Sequence, residues 1–283
     1  MASIHDTMDY GYDPTVAEPG PIFVPPRPAT PPPSNATVNA ELLPPPVGKQ
    51  TTPSCFVWAS TYGLATFAAA KGGNYAPNVA SLQASPDYTY VKVLEGESIL
   101  VDNCVGGQVT SCFNFLNNNK GTPSVQTAPV FEGCANVWTA YGGTTLPSNQ
   151  SFDVTGWKKI SVAGSEGLEN VRVMIAQGVP LAYGTSLYTD FRHYDGTPNP
   201  YVGNGDIRIN PTTNKPVGHV MMIIGYNDDL GAGAVLLQNS LGTGWGTAWN
   251  PYYDGSGYVW MAFKAFQALA QGHAFYITSI ASG

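Results

Sequence analysis

Charged residues are scarce in this chain. Of its 283 residues, Lys, Arg, Asp and Glu make up 11%, less than half the usual share, and the formal net charge is −7. A protein that binds nucleic-acid phosphates needs a basic face, so this composition argues against a nucleic-acid partner. Long apolar runs are missing as well. No run approaches the roughly 20 residues that cross a bilayer, and we expect no membrane partner.

Cysteine and histidine are also few, with four residues of each. Four cysteines allow at most two disulfides, too few for a small disulfide scaffold. The histidines are scattered and show no Cys-x-x-Cys or His-x-x-x-His spacing, so we expect no metal and no other cofactor. Residues 1–12 are polar and acidic and lack the apolar segment of a secretion signal. The hydrophobic share of 43% nevertheless predicts a globular domain with a full core.

Proline is concentrated at the start of the chain, where residues 1–47 hold twelve of the 24. Proline fixes φ and lacks an N–H, so this stretch can form neither a helix nor a central strand. We therefore divide the chain into a Pro-rich N-terminal arm, residues 1–47, and a globular domain, residues 48–283. The arm is either a solvated linker or a segment packed on the domain through Pro21-Ile22-Phe23-Val24. We favour the packed arm.

Helical patterns come first in the domain, and strand patterns follow. Thr52 as N-cap and Pro53 as first helical residue predict a helix that continues to Ala70. Two further helices are expected after Gly106-Gly107 and over residues 166–177. Short apolar runs bounded by Gly, Asn and Pro predict strands at residues 180–183, 219–226, 235–238, 257–263 and 273–280. This order favours an α+β fold with two segregated lobes.

Cys55 is the first candidate for chemistry. It lies in the first turn of the first predicted helix, where unpaired N–H groups and the helix dipole favour a thiolate. Gln50 lies five residues upstream, and its side-chain amide together with the Cys55 backbone N–H would supply two donors for an oxyanion. An isolated cysteine is more often a buried structural residue, so this neighbour favours the catalytic interpretation.

His219 and Asn239 form the second candidate pair. His219 opens an otherwise apolar predicted strand, and Asn239 follows the next one. The midpoint of their numbers is residue 229, inside the turn-rich run between the two strands, so a hairpin brings both residues to the same end. Asn239 can then orient one ring nitrogen of His219 and leave the other facing a thiol. This arrangement is typical of an orienter, a base and a nucleophile acting together.

Three blocks of the sequence resemble, in order, the signatures of papain-like cysteine peptidases. They are Gln50 with Ser54-Cys55-Phe56-Val57-Trp58-Ala59, Gly218-His219-Val220 with Gly225-Tyr226, and Asn239-Ser240-Leu241-Gly242-Thr243-Gly244-Trp245-Gly246. Asn103-Cys104-Val105-Gly106-Gly107 resembles the glycine pair that follows a cysteine in this family. The resemblance covers about residues 48–283. It implies a helical left lobe with the cysteine, an antiparallel β right lobe with the histidine and asparagine, and a cleft between them.

The resemblance also implies a role for each candidate. Cys55 would be the nucleophile, His219 the general base and acid, and Asn239 the orienter, while Gln50 would donate to the oxyanion. The activity implied is hydrolysis of protein or peptide substrates through a thioester acyl-enzyme. The implied substrate-binding residues are Gly106, Gly107, Gln108, Val109, Val217, Gly218, Val220 and Trp245. The pocket residues among them are mostly small or apolar and favour an apolar second residue on the acyl side of the substrate.

Three departures from the family pattern affect the site. Gln50 lies one residue closer to the cysteine than is usual in the family. Thr52 stands where a cysteine usually forms a bridge, so Cys104 needs another partner, either Cys134 or Cys112. Leu241 replaces a tryptophan that shields the contact between histidine and asparagine from water. Leucine still excludes water, so we expect activity to survive.

Other functions stay open at this level. A catalytically silent binding or structural protein on the same fold is one alternative, and a hydrolase acting on cell-wall amides is another. The arm either lies across the cleft as a short inhibitory pro-segment or packs on the back of a lobe. Low lysine content, bridge-capable cysteines and the habits of the family favour a secreted protein.

Overall fold

The structure is a computed structural model that describes residues 10–38, 42–99, 104–119, 121–146, 152–248 and 256–281. The α-helices are α1 Cys55–Val57, α2 Thr66–Gly73, α3 Pro86–Gly96, α4 Val109–Asn118, α5 Cys134–Tyr141, α6 Gly164–Ala176 and α7 Phe263–Leu269. A π-helical segment, Trp58–Ala65, joins α1 to α2, and short 3-10 helices lie at Ala80–Leu82 and Phe191–His193. The strands are β1 Ile22–Phe23, β2 Asn35–Thr37, β3 Val154–Ser161, β4 Leu181–Ser186, β5 Gly218–Asn227, β6 Ala234–Gln238, β7 Tyr258–Ala262 and β8 Ala270–Ile280. Within these ranges, no helix combines the length and the apolar character that spanning a bilayer requires.

The strands form one sheet in the order β1-β3-β8-β4-β5-β6-β7, with β2 added beside β5. Neighbouring strands run antiparallel except β1 and β3, which are parallel. Strands β4 and β6 are buried throughout, and β5 is buried from Gly218 to Tyr226, because helices and arm cover the sheet. The expected α+β fold, with most helices before most strands, is confirmed.

The helix that begins at Cys55 packs directly on β5. Gly63 lies against Met222, and a Cβ added to this glycine would be 3.0 Å from the methionine sulfur. The absence of a side chain at Gly63 therefore lets helix and strand approach closely. This packing holds the start of α1 and the start of β5 in a fixed relation.

The beginning of the first helix differs from the prediction. Ser54, not Thr52, is the N-cap residue, and Pro53 lies outside the helix. The Thr52 hydroxyl is 2.7 Å from that of Ser54, so it bonds within the preceding turn. Cys55 is still the first helical residue, as expected, and the helix ends where Asn74 adopts φ 53°.

Candidate active site

Cys55 lies at the buried start of α1. Its side chain has no exposed surface, and it is not part of a disulfide. The backbone N–H of Cys55 donates to the carbonyl oxygen of Tyr10 at 3.1 Å. This contact brings residue 10 of the arm directly over the thiol-bearing residue.

His219 and Asn239 meet as the hairpin prediction expects. Strands β5 and β6 pair with Met222 opposite Gln238, which places both residues at the same end of the hairpin. The Nε2 of His219 lies 2.7 Å from the Oδ1 of Asn239. The backbone N–H of Ser240 donates to the same Oδ1 at 2.8 Å, so this atom is the acceptor oxygen of the amide. A neutral His219 must therefore carry its proton on Nε2, and Nδ1 has the lone pair that a base needs.

The environment of His219 disfavours its charged form. Both His219, with no exposed surface, and Asn239, with 3%, are shielded from water although Leu241 replaces the family's tryptophan. The Nδ1 atom of His219 has no hydrogen-bond partner among the described residues. Burial lowers the pKa of His219 to about 4, although the hydrogen bond that its Nε2–H donates to Asn239 acts to raise it. The imidazole is therefore neutral at pH 7 in this structure.

Gln50 is held so that its amide nitrogen faces the same carbonyl as Cys55. Its Nε2 donates to Tyr10 O at 3.2 Å and to Thr52 O at 3.1 Å. The hydroxyl of Ser240 donates to Gln50 Oε1 at 2.6 Å, which fixes the amide orientation. The Cys55 N–H and Gln50 Nε2 thus converge on one oxygen, the geometry of an oxyanion hole.

The glycine pair and Gly218 contact the arm through their backbones. The N–H of Gly107 donates to Gly11 O at 2.9 Å, and Tyr12 pairs with Gly218 in an antiparallel bridge. A Cβ on Gly106 would lie 2.2 Å from the carbonyl oxygen of Gly11, so a larger residue there would collide with the arm. These three predicted substrate-binding glycines therefore line the path that residues 10–12 occupy.

The side chain of Tyr12 fills a pocket beside this path. Tyr12 is only 3% exposed. A Cβ on Gly184 would lie 2.7 Å from its ring, and Gly184 pairs with Val220 of the next strand. The predicted substrate-binding valines Val109, Val217 and Val220 are buried. Gln108, by contrast, uses its Nε2 to bond Asp13 O of the arm at 3.3 Å.

Trp245 packs against the segment that contains Phe191 and Arg192. Its indole N–H donates to Arg192 O at 3.0 Å, and its ring lies 5.0 Å from that of Phe191, centroid to centroid. The indole thus anchors the segment around residue 192, and a role in substrate binding stays a prediction.

Three residues of this site were missed by the sequence analysis. Tyr10 supplies the carbonyl that Cys55 and Gln50 both contact, Ser240 orients Gln50, and Gly184 makes room for an aromatic ring. Ser240 follows the predicted orienter directly, which is the one signal that could have pointed to it. Nothing local distinguishes Tyr10 or Gly184, since their importance arises from contacts with residues far along the chain.

The disulfide connects one end of the glycine pair's segment to helix α5. Cys104 is bonded to Cys134, one of its two candidate partners, and Cys112 stays a thiol. Closing a loop with a sequence separation of 30 residues stabilises a fold by about 3–4 kcal/mol in the chain-entropy account. The rim that carries Gly106 and Gly107 is thereby tied to the helical part of the molecule.

Comparison with known proteins agrees with this geometry. A family model described as papain family cysteine protease matches residues 57–268, whereas no curated protein matches the chain. Xylellain, a cysteine protease from Xylella fastidiosa, has the same fold with a TM-score of 0.65 and 17% identity over 97% of both chains. Digestive procathepsin L 3 from the larval midgut of Tenebrio molitor matches with a TM-score of 0.64 and 17% sequence identity, and the match covers 98% of this chain and 80% of the other. Procathepsin L2 of the same tissue matches with a TM-score of 0.59 and 25% sequence identity, and the match covers 89% of this chain and 70% of the other. The expected two-lobe fold is therefore confirmed.

Proposed function

Because this chain belongs to the papain family of cysteine proteases, we propose that it hydrolyses peptide bonds with Cys55, His219 and Asn239. His219 takes the proton of the Cys55 thiol, and the thiolate attacks the carbonyl carbon of the substrate. The C–N bond then breaks as His219 gives this proton to the leaving amine, and a thioester forms. Water loses a proton to His219 and hydrolyses the thioester, which releases the acid and restores the thiol.

One observation carries this proposal: a peptide carbonyl already lies between the two oxyanion donors. Tyr10 O accepts from the Cys55 N–H and from Gln50 Nε2 at 3.1 and 3.2 Å, next to the thiol-bearing residue. These distances are those expected for donors that stabilise a tetrahedral intermediate. His219, oriented by Asn239, supplies the base at the same place.

The test compares two buried cysteines that lie outside the disulfide. In enzyme whose residues 10–13 no longer occupy the cleft, Cys55→Ala should abolish hydrolysis of a fluorogenic peptide, while the thermal midpoint stays close to that of the same enzyme with Cys55. Cys112→Ala is the matched control, because Cys112 bonds Thr61 at 2.9 Å, and burial raises its pKa to about 11. A thiol so hard to ionise is a poor nucleophile, so this variant should keep its activity. Hydrolysis by Cys55→Ala would refute the proposal.

The same contacts support an inhibitory role for the arm. By the family resemblance, the acyl side of a substrate lies along Gly106 and Gly107, whereas here Gly11 and Tyr12, which follow the Tyr10 carbonyl, lie on that side. The chain therefore runs against the direction of a productive substrate. Attack on Tyr10 would have to expel the Gly11 amine towards the acyl side, opposite to the leaving amine of a productive substrate. The arm thus occupies the cleft of a zymogen without being cut there.

The pocket filled by Tyr12 indicates the substrate class. We assign it to the second residue on the acyl side, because Tyr12 pairs with Gly218 and packs on Gly184. The arm shows that a whole phenol ring can be accommodated, since Tyr12 is buried to 3% exposure. Aromatic side chains should therefore be accepted at this position, in addition to the aliphatic ones that the valines favour.

The disulfide supports secretion. Cysteine pairs such as Cys104–Cys134 persist in oxidising compartments and are rare in the cytosol. Protein isolated from its native source should show two reactive thiols after denaturation, from Cys55 and Cys112. Four reactive thiols in such a sample would contradict secretion.

A further inference from the structure

We propose that the exposed turn at residues 15–17 is a proteolytic processing site that divides the arm into two parts with different fates. The part before the turn, described from residue 10 to residue 13, is called the plug. The part after it, described over residues 18–38 and 42–46, is called the strap. Hydrolysis in the turn releases the plug, and the strap stays in the mature enzyme. The inference rests on the proposed inhibition of Cys55 by the arm.

The strap begins with a buried ionic anchor. Glu18 is 4% exposed and accepts from the backbone N–H groups of Val109 and Thr110, at 2.9 and 3.2 Å, and from the Thr110 hydroxyl. Lys159, 6% exposed, donates its ammonium to Glu18 O at 2.8 Å and to Pro19 O at 3.3 Å. Removing this segment would leave the ammonium of Lys159 buried without these acceptors and the N–H groups at the start of α4 uncapped. Both losses are costly, so the anchor favours retention.

The remaining strap is part of the sheet and its edges. Strand β1 extends the sheet beside β3, and β2 pairs with β5 from Asn35 to Thr37. Val38 has no exposed surface, and its N–H donates to Ile224 O at 2.8 Å. Farther along, Gln238 and Tyr62 donate to the carbonyls of Pro45 and Pro46 at 2.7 and 2.8 Å. These contacts make the strap a structural component of the body.

The turn between plug and strap has a different character. Thr15, Val16 and Ala17 are all exposed, Val16 to 44%. The bonds here are local, since the N–H groups of Thr15 and Val16 both donate to Asp13. Exposed turns of small residues are preferred sites of proteolysis. Of the other exposed stretches in the described arm, residues 19–22 carry two prolines and residues 26–34 carry five, and proline is a poor residue for most peptidases to cut beside.

A cut in this turn changes how strongly the plug is held. Water adds across one peptide bond, giving a carboxylate on the plug and an amine on the strap, both in solvent. Before the cut, the plug is tethered beside the cleft at a high effective concentration; afterwards it binds as a dilute separate peptide. Its carbonyl bonds to Cys55, Gln50 and Gly107, its buried Tyr10 and Tyr12 rings and its ion pair from Asp13 to Lys215 must then hold it without the tether, and we infer that they do not. A cut within the strap would release nothing, because the Glu18 anchor would still tether the plug.

The experiment uses the full-length Cys55→Ala protein, which cannot process itself. Brief treatment with the broad-specificity peptidase proteinase K, followed by intact-mass spectrometry, should locate the first cut between Pro14 and Glu18. Gel filtration should separate the plug from a body that retains residues from about 18 onward and keeps its thermal midpoint within a few degrees. A first cut elsewhere, a plug that stays bound, or loss of the strap with the plug would overturn the inference.

Two proline substitutions provide the matched comparison. Ala17→Pro should slow the first cut at least tenfold, whereas Ala29→Pro, in the exposed strap, should leave its rate unchanged. Equal rates in both variants would also overturn the inference. With Cys55 intact, kcat/KM for a fluorogenic peptide should rise at least tenfold in step with the cut. Cutting and release without any gain in hydrolysis would refute the proposed peptidase function while leaving the division of the arm established.

Discussion

The ring of Tyr10 covers the imidazole of His219, with 4.6 Å between the ring centroids and 48° between their planes. The arm therefore does two things at the centre of the site. Its backbone carbonyl lies between the two proposed oxyanion donors, and its side chain covers His219. The second effect links the position of the arm to the protonation of the base.

We predict that acidification weakens the hold of the plug. Burial lowers the pKa of His219 from its ordinary 6.5 to about 4 with the plug in place, so protonation favours the released state, in which the imidazole regains water. The stabilisation of the bound plug is complete above about pH 6.5 and declines as the pH falls towards 4, by at most about 3 kcal/mol. Histidine NMR titration of the Cys55→Ala protein before and after the cut measures both pKa values. A His219 pKa near 6.5 in the uncut protein would contradict this account.

Two carboxylates of the arm set the limits of this pH effect. Partial burial acts to raise the pKa of Asp13, but hydrogen bonds with Lys215 and Thr15 outweigh it, so its pKa lies below 3.8. Protonation of Asp13 therefore weakens the binding of the plug only below about pH 4. Asp13→Asn should leave unchanged the pH range over which protonation of His219 releases the plug. Burial raises the pKa of Glu18 although Thr110 and Val109 oppose the shift. Because Glu18 and its partners Val109 and Thr110 all stay in the body, we expect Glu18 to contribute little to the pH dependence of release.

The oxyanion donor can be tested with an isosteric change. Gln50→Glu keeps the side-chain shape but replaces the donor by an oxygen, and we expect kcat to fall by about 10²–10³ with little change in KM. Ser240→Ala removes only the hydroxyl that orients Gln50. The loss of this one hydrogen bond costs about 1 kcal/mol and should lower kcat roughly fivefold. Steady-state kinetics of the enzyme after release of the plug measure both changes. A Gln50→Glu variant with wild-type kcat would exclude Gln50 from the oxyanion hole.

Gly184 should control the acceptance of aromatic side chains. Gly184→Ala places a Cβ 2.7 Å from the position of the Tyr12 ring, so peptides with Tyr at the second acyl-side position should lose at least tenfold in kcat/KM relative to peptides with Val. Gly244→Ala is the control, because a Cβ there meets nothing within 4 Å. An unchanged preference in Gly184→Ala would show that Tyr12 does not mark the substrate pocket.

The sequence predicts the right lobe well because its signals are local and mutually consistent. Five predicted strands correspond to β4 through β8 with small shifts of their ends. The hairpin prediction placed His219 and Asn239 at the same end, and in the structure Nε2 of His219 lies 2.7 Å from Oδ1 of Asn239. Helix α3 was not predicted, and its run from Tyr88 to Val93 is rich in aromatic and β-branched residues, which favour strands. It is helical because Ser85 caps the Tyr88 N–H, Pro86 opens the helix, and burial of Tyr90 and Leu94 overrides the local propensity.

The arm shows where inference from sequence ends. Its proline content correctly excludes a helix from residues 10–38 and 42–47, yet β1 and β2 form there at positions where sheet edges accept them. The carbonyl that reaches Cys55 is selected by the contacts of the arm with Gln50, Gly107 and Gly218, which lie far apart in the sequence. No local pattern encodes such a convergence, and only the folded chain reveals it.

The central claim is that Cys55 is the nucleophile of a peptidase whose cleft the plug closes. Titration with an epoxide inhibitor of thiol peptidases tests it most directly, with mass spectrometry to locate the label. The account predicts one label per molecule on Cys55 after the plug is released, with hydrolysis lost in proportion, and labelling at least tenfold slower in the uncut protein. Labelling of Cys112 instead, or full hydrolysis by a fully labelled enzyme, would contradict it.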